Sequence, residues 1–432
     1  MSEFRYDWFS DRWVIFAPHR SHRPDEFAEL PETRIAASDC PFCTGNESET
    51  PVPVLMLPTL DPKKSNGEEF RRKERSKENG TTRSGNSGRR HVAAISTPSW
   101  KVRVVPNKYP ALKPLPDDVL IAGVNLQSSC LLTATLEETD APQNLKNLQL
   151  NDNVTKTGNS HTRPTEAYAP ISAAAKCVEP GISPANDLFL SGNFHGAHEV
   201  FVECGEHKTS LTQLPSDHVQ LVLQSYATRL RHWRSMNSFR YGVVFKNSGA
   251  AAGATLSHLH SQLMVTSFLP REILGLQNRW QEYSLKHQSC PVCDLLQREL
   301  VDGSRLVWES ENFVALTPYA SRSPYFISIF PRQHQTTFEA RLELYQAELA
   351  SHLLRTIKAL ENALSNASYN YVIHTSPFTD ENVNRYHWRI DLFPRLGKLA
   401  GFEWASGSHI NSILPEEAAR TLRLYFATSS LE

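Results

Sequence analysis

The chain contains an internal repeat, and this repeat constrains the fold more than any other feature of the sequence. Each of the two copies has, in the same order, a C-x-x-C pair, a histidine, an amphipathic helical pattern, a strand-like segment and an H-x-H or H-x-R motif. Such repetition is typical of duplicated units that pack against each other. The sequence therefore predicts two homologous halves.

The apolar residues of each copy predict both helix and strand. Residues 219–233 and 345–360 carry apolar side chains at the helical period, and each stretch is followed by a short β-rich run, at 241–245 and 371–374. A period of 3.6 residues indicates a helix, whereas runs of β-branched and aromatic residues favour strands. The fold class predicted for the chain is therefore α+β.

The cysteines and histidines of the repeat predict two metal sites. A C-x-x-C turn supplies two thiolates to one tetrahedral ion, and two imidazoles complete a closed site that suits zinc. The spacing between the two histidines is 51 residues in the first copy and 53 in the second. We expect two zinc ions per chain, one in each of these sets: Cys40, Cys43, His207 and His258; Cys290, Cys293, His334 and His387.

The metal prediction has alternatives. His198 lies nine residues before His207 and could take its place as a ligand. A single C-x-x-C pair could also be a redox pair or two small core residues. The recurrence of the pattern, with matched spacing, favours metal binding and favours His207.

Two segments are predicted to be insertions without a packed core. Residues 61–90 contain one aromatic residue, no aliphatic residue and dense mixed charge, so burial cannot offset their ordering entropy. Residues 136–184 are polar and too long for an ordinary loop. Both lie between the first C-x-x-C pair and its histidine, an interval of 164 residues against 41 in the second copy. The charged run at 71–77 is read as solvated linker in preference to a nucleic-acid contact.

Composition and charge exclude several classes of function. The chain has 45 Lys plus Arg and 46 Asp plus Glu, for a formal charge of −1, which leaves no basic footprint for nucleic acid or an anionic membrane. No run approaches the ~18 apolar residues of a membrane span, and the first ten residues lack a signal-peptide layout. With four of seven cysteines in C-x-x-C pairs, we expect a cytoplasmic protein without nucleic-acid or membrane partners.

Residues 247–262 form a motif suited to phosphate chemistry, and only the first copy contains it. Its Gly- and Ala-rich loop lets backbone N–H groups approach an oxyanion, and the following strand should place His258, His260 and Gln262 on one face. With His258 held by a metal, His260 can present a ring nitrogen as a nucleophile to phosphorus. The alternative is that His260 is a core or additional metal histidine. Arg389, at the matching place in the second copy, cannot attack phosphorus, so one active half is expected.

The segment SHLHSQ after a Gly/Ala loop resembles the H-x-H-x-Q signature of the galactose-1-phosphate uridylyltransferase family, in the nucleotidyltransferase branch of the histidine triad superfamily. Further segments follow the order of that family: RWVIFAPHRSHRP, CPFC, VVPNKYPAL, GEHKTSL, FKNSGAAAG and GFEWASGSHIN. The resemblance implies two histidine-triad-like halves, at residues 1–265 and 285–432, each an antiparallel sheet with packed helices. It also implies a homodimer.

The resemblance further implies a ping-pong reaction in galactose metabolism. His260 would attack the α-phosphorus of UDP-glucose and release the hexose 1-phosphate, and galactose 1-phosphate would then collect the uridylyl group. Gln262 would hydrogen-bond to the phosphoryl oxygens. The expected partners are therefore a nucleotide sugar and a sugar 1-phosphate or phosphate. The positions that match the substrate contacts of the family are Arg20, Arg23, Asn107, Asn247, Gly253 and Glu403.

The sequence departs from the uridylyltransferase pattern at several positions. Leu259 and Ser261 replace the usual Pro and Gly, and Lys108 stands where the family has an acidic ribose contact. Arg389 stands where the iron site of some uridylyltransferases requires histidine. The two C-x-x-C pairs and the C-terminal segment resemble the plant ADP-glucose phosphorylase branch, which carries H-x-H-S-Q. Adenylyl transfer from ADP-glucose to phosphate is therefore the alternative reaction.

Two further functions remain as alternatives. The first is a non-catalytic nucleotide-binding zinc protein, against which the position of His260 argues. The second is a nucleotide hydrolase, since other histidine triad branches tend to carry a third histidine where Gln262 stands. A neutral glutamine cannot act as a general base toward water, which favours transfer to a phosphate acceptor.

Overall fold

The computed structural model describes residues 3–18, 36–58, 100–114, 194–378, 385–397 and 399–429. Both predicted insertions, at 61–90 and 136–184, lie outside these residues. The strands within the described ranges are β1 (Glu3–Asp7), β2 (Arg12–Phe16), β3 (Leu55–Pro58), β4 (Trp100–Pro106), β5 (Gly196–Val202), β6 (Tyr241–Ser248), β7 (His260–Thr266), β8 (Leu306–Glu309), β9 (Phe313–Leu316), β10 (Ile327–Pro331), β11 (Tyr369–His374), β12 (Arg389–Pro394) and β13 (His409–Asn411). The α-helices are α1 (Ser216–Arg234), α2 (Arg271–His287), α3 (Pro291–Asp302), α4 (Gln346–Ala363), α5 (Gly401–Ser406) and α6 (Pro415–Thr428).

A ten-stranded antiparallel sheet carries the repeat. Its strand order is β3-β4-β5-β7-β6-β11-β12-β10-β9-β8, so five strands of the first copy are followed by five of the second in mirrored order. The two copies meet where β6 pairs with β11, in a register that runs from Ser248↔Tyr369 to Val244↔Ile373. The repeat therefore forms one continuous sheet.

The two long helices predicted from periodicity cover one face of this sheet. Helices α1 and α4 pack against each other and against alternate residues of the central strands, such as Val244, Leu263 and Ile390. Their buried positions recur every three or four residues: Val219, Val222, Tyr226 and Leu230 in α1; Leu349, Leu353, Ile357 and Leu360 in α4. The predicted α+β class is confirmed. None of the helices in the described ranges is long and apolar enough to cross a bilayer.

A smaller sheet of β1, β2 and β13 joins the two ends of the described chain. Strand β2 pairs antiparallel with β1 and parallel with β13. The buried guanidinium of Arg5 donates to Glu3 at 2.8 Å and to Glu416, at the start of α6, at 2.9 Å. The N-terminal hairpin is thereby fixed to the second half.

A buried ion pair lies beneath the start of β7. Lys246 Nζ donates to Glu203 Oε2 at 2.6 Å and to the His260 carbonyl at 2.8 Å, and both charged side chains are almost fully buried. Burial alone would raise the pKa of Glu203, but the ammonium of Lys246 outweighs this and holds that pKa below its ordinary value. The Tyr226 hydroxyl donates to Glu203 and lies 2.6 Å from the Tyr371 hydroxyl of the other half.

One local prediction is wrong: β7 begins at His260, so His258 precedes the strand. The Leu259 N–H donates to the Lys208 carbonyl at 2.7 Å, whereas its carbonyl accepts at 3.2 Å from the N–H of Glu203, the residue after β5. Only the carbonyl of Leu259 therefore continues the pairing of β7 with β5. His258 and His260 consequently have different surroundings.

The buried pair leads to a test of stability. Lys246→Met should lower the free energy of unfolding by about 3–5 kcal/mol, because it leaves the Glu203 carboxylate buried without a counter-charge. The double variant Glu203→Gln/Lys246→Met, which removes both charges, should recover most of this loss. Urea unfolding of metal-loaded protein provides the measurement.

The matched control is a surface pair. Arg332 and Glu309 lie 3.0 Å apart with side chains that are 37% and 51% exposed, and Arg332→Met should change stability by less than about 1 kcal/mol. Equal losses from Lys246→Met and Arg332→Met would contradict the importance of the buried pair.

Candidate active site and metal centres

The first cysteine and histidine set comes together beside the start of β7. The ligand atoms of Cys40, Cys43, His207 and His258 all lie within 4.8 Å of one another. Cys43 Sγ is 3.4 Å from His207 Nδ1 and 3.5 Å from His258 Nδ1, and Cys40 Sγ is also 3.5 Å from His258 Nδ1. Zinc bonds of ~2.3 Å to sulfur and ~2.0–2.1 Å to nitrogen, at tetrahedral angles, place S and N about 3.5–3.6 Å apart. The cluster therefore fits one tetrahedral ion.

The second set repeats this arrangement at the start of α3. Cys290 Sγ is 3.8 Å from His387 Nδ1, and Cys293 Sγ is 3.6 Å from His334 Nδ1 and 3.7 Å from His387 Nδ1. These distances also suit a tetrahedral ion. In contrast to the first cluster, which is mostly buried, the second has an exposed histidine, His334, and half-buried cysteines. Both clusters could hold a metal, and they differ in access to solvent.

Each cluster fixes one histidine through its second ring nitrogen. His258 Nε2 lies 2.9 Å from the Cys204 carbonyl, and His387 Nε2 lies 2.9 Å from the Pro331 carbonyl. An N–H donor at Nε2 leaves Nδ1 with a lone pair that can bind a metal. Burial lowers the pKa of His258 to about 4, which keeps its imidazole neutral and able to serve as a ligand.

His260 is buried and presents one ring nitrogen for chemistry. Its Nδ1 lies 2.7 Å from the His258 carbonyl, so Nδ1 carries the proton and Nε2 the lone pair. Burial lowers the pKa of His260, which favours the neutral ring that a nucleophile requires. The ring of Phe42 lies 5.4 Å away, centroid to centroid. The imidazole is therefore held from its Nδ1 side, and Nε2 carries the lone pair.

Gln262 is oriented by His198, a residue whose role the sequence did not reveal. His198 Nε2 donates to Gln262 Oε1 at 2.7 Å, and the Asn107 side-chain amide lies 3.4 Å from His198 Nδ1. Because its carbonyl oxygen is engaged, Gln262 has its NH₂ group available to a phosphoryl oxygen. His198 thus belongs to this polar chain, while His207 joins the metal cluster. The residues GAHEVFV around His198 indicate a strand, and this was the sign in the sequence of where His198 lies.

The loop between β6 and β7 contains backbone conformations that favour glycine. Gly249 and Gly253 adopt φ values of +85° and +86°, and a Cβ on Gly249 would lie 2.2 Å from the Ser368 hydroxyl. Asn370, on β11, donates to Asn247 Oδ1 at 2.8 Å and to the Ala252 carbonyl at 2.9 Å. The second half of the chain therefore supports the loop of the first. The sequence did not indicate Asn370, because the contact depends on the pairing of β6 with β11.

The other residues predicted to contact substrate are Arg20, Arg23, Glu403, Asn247 and Gly253. Arg20 and Arg23 are outside the described residues. Glu403, on α5, lines a cavity of about 240 Å³ with Arg322, Arg395 and His409, and neither His260 nor Gln262 lines that cavity. Asn247 and Gly253 lie at the loop, with the Asn247 amide 3.5 Å from the Gly253 carbonyl.

The difference in exposure predicts sequential loss of metal. From zinc-loaded protein, a chelator should remove the ion at Cys290 and Cys293 at least several-fold faster than the ion at Cys40 and Cys43, because His334 gives the chelator access. A colorimetric zinc indicator should record two phases. Cys290→Ser should remove only the fast phase and Cys40→Ser only the slow one. Equal release rates at the two sites would contradict this ordering.

Comparisons with known proteins identify relatives of the chain. The family model for the galactose-1-phosphate uridyl transferase N-terminal domain matches residues 123–270. ADP-glucose phosphorylase from Arabidopsis thaliana is 26% identical over 425 residues, which cover 98% of this chain and 92% of that protein. Galactose-1-phosphate uridylyltransferase from Thermotoga maritima is 30% identical over 247 residues, which cover 54% of this chain and 76% of that protein.

Solved structures agree on the fold. The structure of Arabidopsis thaliana ADP-glucose phosphorylase with bound ADP-glucose has a TM-score of 0.65 at 24% identity and covers 98% of this chain and 99% of that one. A uridylyltransferase structure has a TM-score of 0.58 at 20% identity, with 99% coverage of both chains. The resemblance predicted from the motifs is confirmed, and the chain belongs to the galactose-1-phosphate uridylyltransferase family.

Proposed function

We propose that the protein is a nucleotidyltransferase of the hexose-1-phosphate uridylyltransferase type, with His260 as its nucleophile. The observation that carries the proposal is the bond from His260 Nδ1 to the His258 carbonyl, which leaves Nε2 ready to attack beside Gln262. In the first step Nε2 bonds to the α-phosphorus of UDP-glucose, the bond to the bridging oxygen breaks, and glucose 1-phosphate leaves. A phosphate oxygen of galactose 1-phosphate then attacks the same phosphorus, the P–N bond breaks, and UDP-galactose forms.

Two hydrogen bonds to buried partners hold His260 in place, which favours this role. Lys246 donates to its carbonyl, the metal-site histidine His258 accepts from its ring, and both partners are themselves buried. A nucleophile held in one orientation reacts without first ordering itself, which lowers the activation barrier. The acceptor must be a phosphate, because Gln262 cannot take a proton from water.

Gln262 acts on the charge that develops at phosphorus. Its NH₂ group is directed by the bond between His198 and its carbonyl oxygen, and a preoriented donor stabilises an oxyanion without reorganisation. Within the loop from Gly249 to Gly253, the N–H groups of Ala252 and Gly253 donate to the Gly249 and Ala250 carbonyls, which fixes the shape of the loop. We assign phosphate or nucleotide contacts to Asn107, Asn247 and Gly253. From the family resemblance alone, we assign phosphate contacts to Arg20 and Arg23 and a hexose contact to Glu403.

We infer that both metal clusters hold zinc. Two thiolates and two imidazoles are a closed donor set of the kind found in structural zinc sites. When bound, zinc would contribute folding free energy by joining each C-x-x-C turn to the histidines around it. Cys40 and Cys43 would thereby fix His258, and through its carbonyl His260, while Cys290 and Cys293 would stabilise the second half.

We assign a different role to each of the two halves. We assign catalysis to residues 1–265 and a supporting role to 285–432, since Asn370 reaches from the second half to the loop. A homodimer and a cytoplasmic location complete the proposal; the free thiols of the metal clusters suit a reducing compartment.

ADP-glucose phosphorylase activity is the second candidate. It is favoured by the match to the Arabidopsis thaliana protein of that name, which extends over 98% of this chain, whereas the Thermotoga maritima uridylyltransferase matches 54%. In this reaction His260 would take the adenylyl group from ADP-glucose and inorganic phosphate would collect it. Both reactions use the same covalent step and differ in base and acceptor.

A trapped intermediate tests the covalent step. Zinc-loaded enzyme incubated with UDP-glucose or ADP-glucose, each labelled in the nucleotide and without acceptor, should retain close to one nucleotidyl group per active site. The linkage should be acid-labile and base-stable, and peptide mapping should place it at His260. His260→Gly should lose the label and keep both zinc ions.

The nucleotide that labels the enzyme, and the acceptor that releases the label, decide between the two reactions. Release of uridylyl label by galactose 1-phosphate supports the uridylyltransferase, and release of adenylyl label by phosphate supports the phosphorylase. Label at another residue, or labelling of His260→Gly, would overturn the assignment of the nucleophile.

His198 is proposed as a positioning residue for Gln262. His198→Phe should lower kcat roughly 10- to 100-fold with a smaller change in KM, because the Gln262 amide loses its fixed orientation. His198→Gln, which retains an N–H donor, should restore part of the rate. Zinc content should stay at two per chain in both variants, and loss of one zinc from His198→Phe would instead make His198 a metal ligand.

A further inference from the structure

A cavity of about 530 Å³, which the proposed reaction does not use, lies between the N-terminal hairpin and the second half. It is bordered by the N-terminal hairpin, by α2 and α3, and by side chains of β10, β11 and β12. Small-molecule sites in proteins are usually pockets of roughly 300–1,000 Å³ with largely apolar walls and a few polar groups. The cavity has the size for a ligand as large as a nucleotide.

The mirrored strand order makes this cavity the counterpart of the catalytic site. Arg389 begins β12 two residues after the metal-site His387, as His260 begins β7 two residues after His258. Asp391 follows on the same face, where Gln262 stands in β7. That face lies opposite α1 and α4, because the alternate residues of β12 belong to the helical core.

The floor of the cavity contains polar atoms that lack partners. Arg389, 7% exposed, donates through Nε to Asp391 at 3.0 Å, but its Nη1 is buried without a hydrogen bond. His374 Nε2 lies 3.0 Å from Asp391 Oδ2, and its Nδ1 is also buried without a partner. Nearly all buried polar atoms in proteins are hydrogen-bonded. A ligand that brings an anionic oxygen to Arg389 and a hydroxyl to His374 would satisfy both atoms.

The walls combine aromatic rings with guanidinium groups. The Arg389 guanidinium lies 5.1 Å from the Phe9 ring centre, and that of Arg305 lies 5.4 Å from the Tyr319 ring. Trp8 also lines the cavity. Flat apolar rings accept an aromatic base. Arg305 is already paired with carboxylates of α3 and α6, so the phosphate contact is assigned to the Arg389 guanidinium.

We propose that this cavity is a second nucleotide site, which binds a nucleoside phosphate without reacting with it. Arg389 Nη1 contacts the phosphate, His374 Nδ1 accepts from a ribose hydroxyl, and the base lies against the aromatic wall. Arg389 cannot attack phosphorus, so the ligand leaves unchanged. The inference goes beyond the proposed function and is independent of the reaction at His260.

Calorimetric titration of the zinc-loaded protein with UMP and, separately, with AMP tests the proposal. At least one of them should bind in this cavity, in addition to any site at His260. Ile273→Trp, which fills the cavity from α2, should weaken one site at least tenfold and leave the other unchanged. Leu274→Trp is the matched control, because Leu274 is the next residue of α2, is exposed, and does not line this cavity.

A second variant changes the polar residues at the floor of the cavity. Arg389→Gln/Asp391→Asn removes both buried charges at nearly constant volume and should weaken the same site as Ile273→Trp. No binding of either nucleotide, or binding that both variants leave unchanged, would overturn the proposal. Binding of glucose 1-phosphate in the cavity without UMP or AMP would also overturn it, because the aromatic wall would then have no function. Labelling of His260 reports separately on the catalytic proposal.

Discussion

The antiparallel pairing of β6 with β11 is the interaction on which the rest of the described structure depends. It merges two five-stranded units into one sheet and thereby brings α1 and α4 onto the same face. The hydroxyls of Tyr226 and Tyr371 meet across this junction at 2.6 Å. The paired residues are far apart in sequence. Their register sets the position of the second half relative to the β6–β7 loop and the buried ion pair of the first half.

The sequence predicted what local patterns encode. Helical periodicity located α1 and α4, and the repeated C-x-x-C and histidine spacing anticipated two clusters that the fold then assembles. It could not predict the continuous sheet, because strand periodicity reports which face is buried and not which strand is the neighbour. For the same reason it missed Asn370. It also placed His258 within β7, whereas the strand begins at His260.

The two halves share a framework and differ in what they place on it. Each has a set of two cysteines and two histidines in which one histidine is anchored to a backbone carbonyl, and each continues from that histidine into a central strand. In the first half the strand presents His260 and Gln262, supported by Lys246 and His198. In the second it presents Arg389 and Asp391, which neutralise each other at 3.0 Å. The same arrangement of strands thus presents an imidazole in the first half and an ion pair in the second.

The hydrogen bonds from Asn370 to the glycine loop have a consequence for how such a chain can be divided. A fragment that ended between the halves would expose the full edge of β6, with unpaired N–H and C=O groups open to any other strand. It would also lose the side chain that holds Ala252 and Asn247. The first half alone would therefore be prone to association through this edge, and its glycine loop would lose a support. Covalent linkage to the second half keeps the edge of β6 paired, while the surface of the second half remains free to change.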